Sequence, residues 1–283
     1  MTDRTLPTCL CSAEARTMTR VVKPDFDPRK LYECDTCGTA QFFPLPTPED
    51  EIDNIYQSED YLGNIREVEY KGYFTFFLIA LTEKLGLKKS HKILDFGAGK
   101  CFYHKFFQEA GYENVSSLEI NHSFVRFAQE KLNLTDVHSS TSDLVPASYD
   151  IVFSNQVFEH LVDPVAILTD QIMPLVKPGG MVVFAVPNWA SWNRKLLGRR
   201  WVGYCPEDHI WFFSPRAVPH VFGKVEGLSV EDVFVGSSLG KSYDAYAPSG
   251  FIKQLYLRVF WRRIENWGKG DQMVVVLRKA EAS

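Results

Sequence analysis

The sequence predicts a doubly wound α/β fold, a mostly parallel sheet covered by helices on both faces, and three observations carry that prediction. From His91 onward, short β-like runs alternate with helical periods. The runs KILDF (92–96), VSSLEI (115–120), YDIVFSN (149–155) and GMVVFAVP (180–187) are dominated by apolar residues, as strands buried on both faces are. The first of them leads into a turn with alternating glycines, and sheets of this class bind ligands at the carboxyl ends of their strands. The 283 residues suffice for one full-sized domain and a small accessory unit.

The composition, 45% hydrophobic and 23% charged, is that of an ordinary globular protein. A net charge of −4 supplies no global basic field, so no nucleic-acid partner is expected. The opening MTDRTLPTCLC lacks the basic-then-apolar form of a leader, and YFTFFLIAL (73–81) is too short to span a bilayer. A cytoplasmic protein without stable membrane insertion is the expectation.

In a reducing compartment, cysteines serve as ligands, catalytic groups or core fillers. Four of the six lie within the first 40 residues: Cys9 and Cys11, then Cys34 and Cys37. Two close pairs some twenty residues apart have the spacing of a zinc ribbon, in which two knuckles clamp one tetrahedral ion. Gly38 suits the tight turn that aims backbone N–H groups at sulfur. Four cysteines leave no position for an activated water, so the zinc is structural. The first pair departs from the usual knuckle in being C-x-C.

A zinc-ribbon unit is therefore expected over residues 1–45, and a linker with an N-terminal helix over 46–90. The linker is Pro-rich and then acidic; the helical spacing runs from Ile65 to Leu85 and can end at Gly86. The α/β domain follows over 91–283, with helices at 102–110, 122–132 and 164–175 between the strands. SPRAVPHVF reads as a short helix, and GLSVEDVFV and DQMVVVLRK as a final antiparallel pair. Residues 188–213 and 236–270 are cap or insertion segments, the second too long for a hairpin loop.

The turn HKILDFGAGKC excludes two phosphate-binding readings. It lacks the Walker spacing, and Cys101 stands where a magnesium-binding hydroxyl is needed. It also lacks the third glycine of a dinucleotide fingerprint, because Phe102 occupies that place. What remains is D-x-G-x-G (Asp95, Gly97, Gly99) with an acid, Glu119, at the end of the second strand. The glycines let the backbone approach an amino-acid moiety, Asp95 can anchor an ammonium, and Glu119 can accept two bonds from vicinal ribose hydroxyls. That set suits S-adenosylmethionine.

At this point the sequence resembles the class I S-adenosylmethionine-dependent methyltransferases over roughly residues 70 to 280, through ILDFGAGKC, SLEI, SYDIVFSNQVFEHLVDP and LVKPGGMVVFAVPN. The resemblance implies a seven-stranded Rossmann-like sheet and a cap after the fifth strand. It implies cofactor contacts from Asp95, Phe96, Gly97, Ala98, Gly99, Glu119, Ile120, Ser140, Thr141, Asn155 and Gln156. Cys101 stands where the family usually has a third glycine and is expected to narrow the room beside the methionine moiety.

Within the family, the Cys-rich start is similar to enzymes of sugar, polysaccharide and secondary-metabolite pathways. PEDHIWFFS (206–214) resembles the Tyr-His-Glu-His segment of nucleotide-sugar C-methyltransferases, with Asp208 and His209 in the acid and histidine positions. Those relatives carry a large further C-terminal domain. The ubiquinone-pathway O-methyltransferases use E-x-x-E-H to hold a metal, and here Gln156 replaces the first acid.

Methyl transfer from a sulfonium is an in-line displacement, and the protein must position the acceptor and remove its proton. His160, His209 and Asp208 are the catalytic candidates, a histidine being the natural base near neutrality. For His160 the competing role is capping or packing at the helix announced by Asp163-Pro164. The cap holds four tryptophans with Arg194, Lys195, Arg199 and Arg200, which suits a sugar- or phosphate-bearing small acceptor or a packed helix with a solvated basic face. The similar stretch 251–267 packs in the core or makes peripheral membrane contact. The rival readings are an RNA methyltransferase gripping RNA through the ribbon and a scaffold that has lost activity.

Overall fold

The computed structural model describes residues 6–11, 17–26, 28–45, 80–201, 203–236 and 267–282. The linker and most of the helix expected over 46–90, and nearly all of the 236–270 segment with its 251–267 stretch, lie outside the described residues.

The N-terminal strands are β1 (Arg20–Val22), β2 (Lys30–Glu33) and β3 (Ala40–Phe43). The α/β part then runs through β4 (Ile93–Phe96), α1 (Phe102–Glu109), β5 (Val115–Leu118), α2 (His122–Lys131), β6 (Val137–His138), β7 (Tyr149–Asn155), α3 (Pro164–Ile167) and β8 (Val176–Pro187). After these come α4 (Trp192–Leu197), β9 (Trp211–Phe212), α5 (Val218–Val221), β10 (Leu228–Gly236) and β11 (Gln272–Lys279).

Seven strands form one sheet in the order β10-β11-β8-β7-β4-β5-β6, with β11 antiparallel to both neighbours and the strands from β8 to β6 parallel. The order reverses between β4 and β7, which opens a crevice at the carboxyl ends of those strands. Both faces are buried. Leu94, Val152, Val182 and Phe184 pack on one side with Phe158, Leu168 and Phe222. Ile93, Ile151, Phe153 and Val183 pack on the other with Tyr103 and Phe107. The period of two thus divides the apolar runs between two cores.

Local chemistry sets the ends of the elements. The Asn121 side chain accepts from the N–H groups of Ser123 (2.8 Å) and Phe124 (3.3 Å) to open α2. Asp163 does the same for α3 through Val165 and Ala166, with Pro164 in the first turn. Capping there falls to Asp163, so His160 is released from that competing role. Beyond α3 the chain continues as a wider π-type turn over Leu168–Ile172 rather than one regular helix to 175. β8 starts four residues before the expected strand and takes in Lys-Pro-Gly-Gly. A Cβ at Gly180 would lie 3.0 Å from the Asp150 carbonyl oxygen, so glycine permits that close approach.

The N-terminal strands form a second sheet, ordered β1-β2-β3-β9. Its last strand belongs to the cap: Ala40 pairs with Phe212 and Gln41 with Trp211. No helix among the described residues is long and apolar enough to cross a membrane.

Candidate active site

The β4–α1 turn is built by positive φ angles at Gly97 (72°), Gly99 (52°) and Cys101 (54°). A Cβ on Gly97 would come within 2.6 Å of Val157, so the turn is pressed against the chain leaving β7. A Cβ on Gly99 would meet nothing within 4 Å. The N–H groups of Gly97 and Ala98 donate to the Leu118 carbonyl at 2.9 and 3.0 Å, which locks the turn to the end of β5.

Glu119 follows directly. Its carboxylate accepts the Gly99 N–H (2.6 Å) and the Asn121 N–H (2.8 Å), one at each oxygen. Each oxygen keeps a second lone pair for a ligand hydroxyl. Asp95 is 1% exposed and its Oδ2 has no hydrogen-bond partner among the described residues. Burial, and then the neighbouring Glu119 charge, hold its carboxyl well above the usual range. Burial also raises Glu119, against the pull of the two backbone donors. A buried acid with no partner, beside a glycine turn that no described residue obstructs, is what a ligand ammonium would complete, so these residues can hold S-adenosylmethionine.

The remaining cofactor candidates surround this turn unevenly. Phe96 and Ala98 belong to it, whereas Ile120 is 68% exposed. Ser140 and Thr141 form a tight turn after β6, where the Ser140 hydroxyl accepts the Ser142 N–H. Asn155 ends β7, and Gln156, at φ 57°, donates from Nε2 to the Ala185 carbonyl (3.3 Å). Cys101 Sγ lies 3.7 Å from the Gly99 carbonyl oxygen. Its side chain is fully buried, packing with Ala128, Leu134 and Val137 beneath α2.

Two residues beyond Val157 stands Glu159, fully buried, with neither carboxyl oxygen hydrogen-bonded among the described residues. Burial, with Asp208 adding to it, keeps that carboxyl well above the usual range. Glu159, His160 and His209 each bring a polar side-chain atom within 4.8 Å of the others. The two imidazoles meet edge to face, with centroids 4.6 Å apart. His209 Nδ1 lies 3.0 Å from the Gly203 carbonyl, which makes Nδ1 the N–H and leaves Nε2 the lone pair. His160 Nδ1 is directed at Asp208, 3.3 Å from its carbonyl and 3.7 Å from Oδ2. The backbone between them is held as well, since Ile210 N–H (2.7 Å) and Trp211 N–H (3.0 Å) both donate to the Glu159 carbonyl.

The sequence-predicted residues thus fall into two adjoining groups, the glycine turn with its two acids and the His160–Asp208–His209 group, joined through Val157. Residues 70–231 match the family model of a methyltransferase domain. The chain belongs to that methyltransferase family. Among curated proteins none matches. A chain of the complex between the Haloferax volcanii Trm112 methyltransferase activator and a methyltransferase superposes with a TM-score of 0.54 at 16% identity, covering 77% of this chain and 100% of that one. An S-adenosylmethionine-dependent methyltransferase from Archaeoglobus fulgidus gives 0.51 at 18%, covering 78% and 100%. The Burkholderia thailandensis 1,6-didemethyltoxoflavin-N1-methyltransferase, with its acceptor and S-adenosylhomocysteine bound, gives 0.51 at 16%, covering 93% and 100%. These likenesses are of fold. With the family match they make the protein an S-adenosylmethionine-dependent methyltransferase on a seven-stranded sheet.

Glu159 is the methyltransferase residue that sequence reasoning passed over as a site group. Its one signal was its place in the Glu-His pair after β7, and nothing local announced its burial. Of the two readings left open for the cap tryptophans, packing fits three of the four. Trp189, Trp201 and Trp211 are each no more than 3% exposed, and only Trp192 offers a face to solvent. Trp189 and Trp201 pack with Phe26, Leu31 and Phe42 of the N-terminal strands, which lie too far away in sequence for any local pattern to reveal.

At the other end of that hairpin the four cysteines converge. All are buried, and their sulfurs lie within 4.8 Å of one another. Cys9 and Cys37 Sγ are 3.5 Å apart, and Cys11 and Cys34 Sγ 3.7 Å. The N–H groups of Cys11 and Thr39 point at sulfur, at 3.5 and 3.4 Å. Gly38 takes the left-handed turn directly after the second pair, at φ 76°. The Cys9–Cys37 contact lowers one thiol and raises the other, so the pair shares a proton that a bound cation would displace.

Proposed function

We propose that this methyltransferase acts on a small molecule, a sugar, nucleotide sugar or secondary metabolite, and that His209 takes the acceptor's proton. The observation behind the reading is the buried His209 imidazole, pinned through Nδ1 to Gly203 and set beside Glu159 and His160. When bound, S-adenosylmethionine supplies an electrophilic methyl group. Asp95 and Glu119 bind it, the glycine turn gives it access, and the cap excludes water. Burial, together with His160, pushes the proton affinity of His209 down to about 3, so its Nε2 is unprotonated at neutral pH. His209 Nε2 takes the proton with Glu159 and His160 beside it.

A small acceptor is favoured over RNA by the net charge of −4 and by the burial of three cap tryptophans that would otherwise offer stacking faces. The acceptor bound in the Burkholderia structure, 1,6-didemethyltoxoflavin, supports the same direction. Cys9, Cys11, Cys34 and Cys37 hold a structural zinc ion in this reading, and a reducing, cytoplasmic setting keeps the thiols available for it.

The test is a transfer screen with labelled S-adenosylmethionine against nucleotide sugars, phenols and RNA. Label in one of the first two classes is the expected result, and label in RNA alone refutes the reading. With the acceptor in hand, His209→Gln should slow turnover at least ~10-fold while cofactor affinity holds; unchanged turnover removes His209 as the base. Metal analysis of purified protein should find about one zinc per chain.

A further inference from the structure

The N-terminal hairpin touches the proposed proton acceptor through a single side chain. Arg29, immediately before β2, donates from Nη1 to the Pro206 carbonyl (2.5 Å), from Nη2 to the His209 carbonyl (3.1 Å) and from Nε to the Pro44 carbonyl (3.3 Å). Its guanidinium lies 5.0 Å from the centroid of the Phe42 ring. We propose that Arg29 is a positioning residue for His209, fixing through its forked bonds the backbone that carries the imidazole and, through its charge, opposing a second positive charge on that ring. The proposal rests on the reading of His209 as the proton acceptor.

The geometry around residues 203–212 supports a clamp. Phe42 N–H donates to the Ile210 carbonyl (2.9 Å) from the hairpin side, while Ile210 and Trp211 are held from the opposite side by Glu159. Between Gly203 and His209 the chain folds on itself, with His209 N–H on the Cys205 carbonyl (2.9 Å) and the ring on Gly203. At the far end of this loop Arg29 spans residues 206 and 209 from the hairpin side, while His160 Nδ1 meets the Asp208 carbonyl (3.3 Å) from the β7 side. A planar guanidinium can satisfy two carbonyls in fixed directions, whereas a lysine ammonium is a point charge that cannot impose that geometry.

The charged and titratable groups around the imidazole come from three places. Glu159 and His160 follow β7, Cys205, Glu207 and Asp208 belong to the loop, and Arg29 comes from the hairpin. Burial first, then His160, then Arg29 lower the proton affinity of His209, against the Gly203 bond, which raises it. Asp208 and Glu207 in turn favour the charged form of Arg29 against its burial. Removing the Arg29 charge therefore raises the proton affinity of His209. Keeping the charge and removing the fork leaves that affinity in place and loosens the ring's orientation.

The experiment is an NMR proton titration of the full chain with isotope-labelled histidine and no acceptor, the His209 signal being assigned through His209→Gln. Arg29→Gln is expected to raise the proton affinity of His209, by a smaller step than burial or His160 imposes in the other direction. Arg29→Lys is expected to keep it within about threefold of the parent, while the single Nδ1–H tautomer gives way to a mixture. Retained stabilisation by S-adenosylmethionine shows that each variant is folded. If Arg29→Gln fails to fold, the tautomer in Arg29→Lys decides. An unchanged tautomer in Arg29→Lys overturns the clamp, and an unchanged affinity in Arg29→Gln overturns the charge effect. Because no methyl is transferred, the result stands apart from the turnover of His209→Gln, which tests the underlying reading separately.

Discussion

Asp95 and Glu119 are two acids that share a buried site, and the protein keeps them there at a cost in its own proton equilibria. A bound ammonium favours the ionised form of Asp95, so cofactor binding should release protons wherever the raised carboxyl is still protonated. Affinity then strengthens as pH rises through that range. Calorimetry in buffers of different ionisation enthalpy reads this directly; a heat independent of buffer contradicts it. Glu119→Ala should weaken cofactor binding at least ~10-fold, since it removes the carboxylate that both orders the Gly99 N–H and faces the ribose.

A second residue-level prediction concerns His104, which is buried on α1 with Nδ1 2.9 Å from the Ser117 hydroxyl. Burial lowers its proton affinity to about 4. On acidification the unfolded chain gains this proton near pH 6.5 and the folded chain only near 4. Stability is therefore lost as pH falls through that window, by about 3 kcal/mol for this residue. Denaturant titrations of His104→Gln against the parent at pH 7 and pH 4 should differ in pH slope by that amount, and parallel slopes would refute the assignment.

Among the elements, the start of β11 fastens the cap. Asp271 accepts the Ser191 hydroxyl (2.5 Å), Asn193 Nδ2 (2.5 Å) and Trp201 Nε1 (3.0 Å), and its carbonyl accepts the Asn188 N–H (2.8 Å). Asp271→Ala strands three donors in a dry site and should cost about 3–5 kcal/mol, read as a shifted urea midpoint. The sheet strands were legible in the sequence because continuous apolar runs report double-sided burial whatever lies around them. β6 was not, since two residues show no period. The glycine turn was legible for a related reason, its spacing being a backbone requirement. The cap stayed open between two readings because tryptophans beside arginines look alike whether they stack on a ligand or on Phe42 and Phe26, and only the long-range pairing of β3 with β9 separates them.

In the whole molecule the cysteine cluster and the large sheet are parts of one packing unit. Cys9, Cys11, Cys34 and Cys37 share a hydrophobic cluster with Phe213, Val221 and Phe222. Lys224 Nζ donates to the Cys11 carbonyl (2.7 Å), and Arg216 Nη2 to that of Thr36 (2.8 Å). If the four thiols hold the proposed zinc, a chelator should lower the melting temperature of the whole chain by roughly 5–10 °C, the size of a loss of ~2–3 kcal/mol. Tryptophan emission should shift to the red as Trp189 and Trp211 become wet. A melting curve indifferent to chelator would show that the thiols pack without an ion.

The pairing of Ala40 and Gln41 with Phe212 and Trp211 also sets a timetable for biosynthesis. The ribosome must add some 170 residues before the first hairpin meets its neighbour, roughly 10–30 s at ordinary bacterial speeds. Throughout that interval four nascent thiols and the Phe42 side chain have no permanent cover. A long-range pairing of this kind makes the N-terminal hairpin wait for the cap before its β3 edge is covered.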